Sequence, residues 1–171
     1  MRIDDIVNKE WIYIKEKDNK VRYILGTKGN HTLCCIGINP STAEPNKPDP
    51  TIRSVERITK RNGYDSFIMF NVYPVRSTIF ENLSKEENHY YTEKNIREII
   101  KIVKSLPKPV NIWLAYGNLI DKRSYMREGF NRLKKELDKY NCIYWTCGIT
   151  KSGNPKHPLY LNSNSKLELL K

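Results

Sequence analysis

Thr32-Leu33-Cys34-Cys35-Ile36-Gly37-Ile38-Asn39-Pro40-Ser41 is the stretch whose reading decides the fold. From Thr32 to Ile38 the run is short and apolar, as a strand covered on both faces must be, and it stops in Asn-Pro-Ser turn chemistry. The strand therefore delivers a loop at its C-terminal end. Downstream, the loop from Asn39 to Pro50 carries four prolines, and TIRSVERITKRNG then reads as a helix capped by Thr51 and stopped at Gly63. Phe67 to Phe70 forms a second buried strand ending at Asn71, after which Tyr73-Pro74 turns the chain away.

The same alternation continues. Ser84 to Ser105 has helical spacing with an apolar stripe of Ile96, Ile99, Ile100 and Val103, and Val110 to Tyr116 is a third strand ending at Gly117-Asn118. Ser124 to Tyr140 is a further amphipathic helix, and Cys142 to Cys147 closes the set as a fourth strand. Upstream, Trp11 to Glu16 and Val21 to Leu25 flank a Lys17-to-Lys20 turn and predict a hairpin. Strands alternating with helices imply right-handed crossovers and a parallel sheet with helices on both faces. The expectation is one α/β domain over residues 1–171: a three-layer α/β/α arrangement around a mostly parallel four-stranded sheet, with an N-terminal β-hairpin extension in residues 1–30.

With 30 Lys and Arg against 19 Asp and Glu, the 171-residue chain carries a formal charge of +11, which favours a polyanionic partner, DNA or a nucleotide. No stretch approaches the length of a membrane span, and the opening MRIDDIVNKEW lacks the apolar segment of a signal peptide, so a cytoplasmic protein without a membrane partner is expected. Cys34, Cys35, Cys142 and Cys147 sit inside apolar runs and read as reduced. Adjacent Cys34 and Cys35 on one strand must point to opposite faces, which argues against a metal or iron–sulfur site. Neither metal nor cofactor is expected.

In open α/β sheets ligands sit outside the C-terminal strand ends. The informative loops are then Gly37-Ile38-Asn39-Pro40-Ser41, Asn71 to Pro74, Tyr116-Gly117-Asn118 and the segment Gly148 to Leu159. Together Asn39, Asn71, Asn118 and His157 would supply the donors and acceptors needed to read a base edge.

These residues also carry a resemblance. NPSTAEPNKPDPTIRSVERI, then FNVYPVRST, then GITKSGNPKHPLYL, resemble in this order the uncharacterised bacterial and phage domain-of-unknown-function family 1643, over nearly the whole chain. More distantly, the chain is similar to the uracil-DNA glycosylase superfamily. Members of that superfamily place G-x-[DN]-P after the first strand and H-P-x-x-L after the fourth. Gly37-Ile38-Asn39-Pro40 resembles the first motif and His157-Pro158-Leu159-Tyr160-Leu161 the second. The likeness implies a uracil-DNA-glycosylase-like fold. It also implies that Asn39 positions the attacking water, Asn71 reads the Watson–Crick edge, Gly117 closes the third strand, and His157 stabilises the departing base. Leu161 then falls where those enzymes insert an apolar wedge into the DNA stack. Ser41 stands where the superfamily has a bulky residue or glycine, and Tyr73 is the substitute candidate for the base-stacking aromatic.

Asp49, in the Asp-Pro-Thr block, is a candidate general base or water-orienting group, with helix initiation as its alternative role; Glu44 is the other carboxylate of that loop. Arg53 in the first helical turn opposes the helix dipole and suits a phosphate. Lys151, Ser152 and Lys156 make a flexible basic segment that a phosphate backbone can approach. Glycosidic cleavage leaves positive charge on the sugar and negative charge on the base, so it needs a donor beside the base and an activated water beneath the sugar. An asparagine accepts no proton, which makes a carboxylate near Asn39 and His157 the feature that separates a hydrolase from a non-catalytic nucleotide or nucleic-acid reader using the same cleft.

Overall fold

The computed structural model describes residues 9–170. The four expected strands are present as β3 (Thr32–Gly37), β4 (Ser66–Asn71), β5 (Val110–Leu114) and β6 (Cys142–Thr146), all parallel. The hairpin is β1 (Trp11–Lys15) and β2 (Arg22–Thr27), and a short β7 (Glu168–Leu169) follows at the end. Three helices connect the parallel strands: α1 (Pro50–Arg61), α2 (His89–Ser105) and α3 (Ser124–Leu137).

All seven strands form one sheet in the order β1-β2-β4-β3-β5-β6-β7. The hairpin is thus part of the sheet, because β2 runs antiparallel to β4, with Leu25 opposite Met69 and Gly26 opposite Ile68. At the other edge β7 pairs antiparallel with β6. Two residues are too few to display any hydrophobic period, so β7 had no signal in the sequence.

Alternation along β3 divides the core. Cys34 and Ile36 belong to the cluster beneath α2 and α3, with Ile99, Val103, Met126 and Phe130; Leu33 and Cys35 belong to the cluster beneath α1, with Ile52, Val55 and Ile58. The two neighbouring cysteines do face opposite sides. Full burial drives both thiols well above their ordinary pKa, which leaves them protonated and unreactive at neutral pH.

Two helix starts differ from expectation. Asp49, not Thr51, caps α1: its Oδ1 accepts from Ile52 N at 2.9 Å while Pro50 takes the first helical position, where a missing N–H costs nothing. At α2, Ser84 Oγ accepts from Glu86 N, a local turn that competes with helix, and the helix begins only at His89, capped by Asn88. No described helix is long and apolar enough to cross a membrane.

Candidate active site

β3 is followed by α1 on one face of the sheet, whereas β5, its neighbour, is followed by α3 on the other. Chains that leave adjacent strands in opposite directions open a crevice at their C-terminal ends. A small cleft with a cavity volume of about 30 Å³ lies there, lined by the end of β3 (Gly37 to Ser41), the start of α1 (Asp49, Thr51, Ile52), Asn71, Met69, His157 and Arg22.

Its floor depends on Gly37. A Cβ at this position would stand 2.5 Å from Met69 Cε and 2.9 Å from Asn71 Oδ1, so only glycine lets the Asn71 amide lie across the end of β3. Asn71 is 1% exposed, and its Nδ2 has no hydrogen-bond partner among the described residues. The backbone carrying it is held from behind, where Asn95 of α2, fully buried, donates through Nδ2 to Asn71 O at 2.8 Å. A buried donor without an acceptor is costly, so Asn71 Nδ2 is poised for an acceptor brought by a ligand or a water.

Asn39 follows β3, and its amide has a settled orientation. Nδ2 donates to the carbonyls of Pro40, Val75 and Ser77 at 3.1, 3.3 and 3.2 Å, which leaves Oδ1 as the group free to accept. The loop beyond is clamped by two arginines: Arg76 Nη1 donates to Ser41 O and Ala43 O, and Arg22 Nη1 donates to Ala43 O at 3.3 Å. Ser41 Oγ lies 3.1 Å from Thr78 Oγ1.

Asp49 brings a carboxylate into the same cleft, with Oδ1 on Ile52 N and Oδ2 on Ala43 N at 3.3 Å. Glu44 does not join it; its Oε1 accepts from Asn19 Nδ2 at 2.8 Å beside the hairpin.

His157 enters from beyond β6, across Gly117. With φ of +67°, Gly117 occupies the left-handed region, and a Cβ there would approach His157 Cβ to 3.0 Å. His157 Nδ1 accepts from Leu159 N at 3.2 Å, so in the neutral ring the proton resides on Nε2. Burial pulls the imidazole pKa down to about 4, only partly opposed by the Asp49 charge. At neutral pH the cleft therefore holds an uncharged imidazole with one N–H to offer.

The segment carrying His157 is tied down by a polar network. Asn154, 2% exposed, donates to Asn118 Oδ1 and Asp121 Oδ2 and accepts from Arg127 Nη2, and Thr150 Oγ1 donates to Asn118 Oδ1. Asn118 thus anchors a loop and lies outside the cleft lining.

Tyr73 is also outside it. The turn after β4 sends this side chain into the core against Tyr125, ring centroids 5.0 Å apart, and its hydroxyl accepts from Asn88 N. Leu161 packs against the α1-side core. The apolar groups that stand exposed after His157 are instead Leu159 and Tyr160, the latter 85% exposed. Arg53, Lys151, Ser152 and Lys156 are exposed.

Sequence reasoning missed Arg22 and Asn95. Each had one signal: a cation within the apolar run Val21 to Leu25, and an amide four residues before Ile99 on the buried stripe of α2.

No curated protein and no solved structure matches the chain. A family model described as "Protein of unknown function (DUF1643)" matches residues 22–159, a span that contains every residue lining the cleft. The chain belongs to the DUF1643 family.

Proposed function

We propose that this is a uracil-DNA-glycosylase-like protein that receives a base of DNA or of a nucleotide in the cleft and hydrolyses its N-glycosidic bond. The observation that carries the reading is the convergence of Asn39, Asp49, Asn71 and His157 on one small cleft at the switch point of the sheet. Gly37 to Pro40 and His157 are far apart in sequence and carry the two motifs of the resemblance, yet they line the same space.

Each group suits one part of the reaction. The bond from the sugar C1′ to the base nitrogen breaks with its electron pair going to the base, and a water oxygen bonds to C1′ in its place. Nε2–H of the neutral His157 donates to the charge that grows on the base, and Asn71 Nδ2 donates to an acceptor on the base edge. Asp49 offers negative charge to the sugar cation and an acceptor for the water proton; Asn39 Oδ1 orients that water. Outside, Leu159 and Tyr160 offer surfaces to stack on bases, and Lys151 and Lys156 offer charge to phosphates.

The test is incubation of the protein with labelled DNA bearing uracil, mismatched, deaminated or hypermodified bases, followed by alkaline cleavage of abasic sites. A product whose rate falls about 10²- to 10³-fold in His157→Ala carries the proposal. One observation favours a second reading: both Asp49 oxygens already accept backbone N–H groups, one as the helix cap and one from the preceding loop. No abasic product from any base, together with tight and salt-sensitive binding, would replace hydrolysis by non-catalytic recognition of a nucleotide or nucleic acid in the same cleft.

A further inference from the structure

Arg22 is the least expected member of the cleft. It comes from the hairpin, is 2% exposed, and lines the floor beside Asn71. A guanidinium presents a fork of N–H donors, yet the contact to Ala43 O at 3.3 Å is the one hydrogen bond it makes among the described residues. Nε is sealed from solvent without a partner, and Arg22 joins no ion pair among the described residues. Clamping the loop does not account for it, since Arg76 already binds Ala43 O and does so while also holding Ser41 O, Tyr13 Oη and Asn19 Oδ1.

The charges do not balance either. Arg22 feels a second guanidinium, that of the half-buried Arg76, and one carboxylate, Asp49, whose oxygens are turned to backbone N–H groups. Burial, then repulsion from Arg76, lowers the Arg22 pKa to about 10 while Asp49 opposes the shift, so the group stays charged at neutral pH. A buried cation with a sealed, unpartnered Nε and a single long hydrogen bond from Nη1 is expensive unless something negative completes it. Around it stand further donors: Asn71 Nδ2 without a partner, the Nε2–H of neutral His157, the hydroxyls of Ser41 and Thr51, and the N-terminal end of α1 with its positive dipole.

We infer that the floor of the cleft is an oxyanion-binding subsite in which Arg22 and Asn71 hold an anionic group of the ligand. The inference rests on the proposed entry of a base-bearing ligand into this cleft, and it specifies that ligand further: it is an anion at its buried end. Two sources offer that chemistry, the phosphate of a free nucleotide and an acidic substituent on the base itself. A neutral base edge satisfies Asn71 but leaves the Arg22 charge uncompensated, which is why an anion is the better complement.

Isothermal titration at constant ionic strength tests it with inorganic phosphate and two matched pairs: uridine against uridine 5′-monophosphate, and uracil against orotate. The expected result is saturable phosphate binding and, in one pair, a preference of about tenfold or more for the anionic member. Preference for orotate identifies an acidic base, which keeps Asn71 on the base edge; preference for the monophosphate identifies a nucleotide whose phosphate takes Asn71 in place of the base edge. Arg22→Met should abolish the preference, and Arg22→Lys should keep part of it, because a point charge replaces a fork. If Arg22→Met does not fold, the comparison between pair members on the unaltered protein still decides. Equal binding within both pairs, or no binding of phosphate or either anion, overturns the inference. The DNA cleavage assay is separate, so abasic product alongside such a result would remove the anion subsite and leave the glycosylase reading standing.

Discussion

Two loops supply the cleft, and they are held in opposite ways. The loop from Asn39 to Asp49 is pinned from within, by a buried carboxylate capping a helix and by arginines bonding its carbonyls. The segment from Gly148 to His157 is pinned by the buried Asn154 amide to more exposed partners, Asn118, Thr150, Arg127 and Asp121. Low-dielectric surroundings make the first set of contacts strong and their loss severe; the second set competes with water. The groups proposed to act on sugar and water thus share the structural foundation of the protein, whereas His157 rides on a segment whose anchoring can be altered without undermining the core.

The largest expected effect breaks the inner loop. Asp49→Ala removes the α1 cap and leaves Arg22 without its nearest counter-charge, a loss of about 3–4 kcal/mol of folding stability, measurable by urea unfolding. A loss below about 1 kcal/mol would show that Asp49 acts as an ordinary exposed cap.

Acid sharpens the contrast from the other side. Since the folded state lowers the His157 pKa to about 4, the unfolded chain binds a proton there first as pH falls. The stabilising contribution is complete above the unfolded pKa near 6.5 and is lost on descending to about 4, amounting to about 3 kcal/mol. His157→Gln should lose that much less stability than the parent between pH 7 and pH 4; equal losses would remove His157 as the titrating group.

A smaller effect isolates the outer loop. Asn154→Ala should cost about 2 kcal/mol and speed amide exchange at Gly153 and Lys156 while leaving Ala43 and Ile52 protected. Uniform acceleration would mean that the two loops open together. The smallest structural effect belongs to Lys151→Ala with Lys156→Ala. Both side chains are exposed, so the unfolding midpoint should not move, but the slope of log affinity for duplex DNA against log salt should fall by about 2. An unchanged slope removes this segment from the DNA contact.

The same division explains what could be read from sequence. Strands buried on both faces and helices with one apolar stripe announce themselves by period, so β3 to β6 and α1 to α3 were legible, as was the opposed placement of Cys34 and Cys35. Gly37, Asn39, Asn71 and His157 were legible as candidates because strand ends converge, and Asp49 because it is one of two carboxylates in the loop after β3. Thr51 outranked Asp49 as the cap because both are good capping residues and only the geometry of Pro50 chooses between them. Tyr73 and Leu161 were misjudged because the direction a side chain takes after a turn depends on packing partners distant in sequence, Tyr125 for one and the α1-side core for the other. Arg22 was missed for the same reason: its one signal was a cation inside an apolar run, a cation on a hairpin ordinarily faces water, and nothing local says that the 39–49 loop closes over it.

The hairpin joins the sheet opposite β4, Leu25 with Met69 and Gly26 with Ile68, and by a bridge from Val21 to Val75, and these partners are remote from one another along the chain. Such pairing is slow, because the loss of chain freedom comes before the contacts that compensate it. During folding, the Arg22 guanidinium therefore keeps its shell of water until β4 is in place. Dehydration of the floor is then a closing event of assembly, and an anion present at that moment would join the folding equilibrium itself rather than find a finished pocket afterwards.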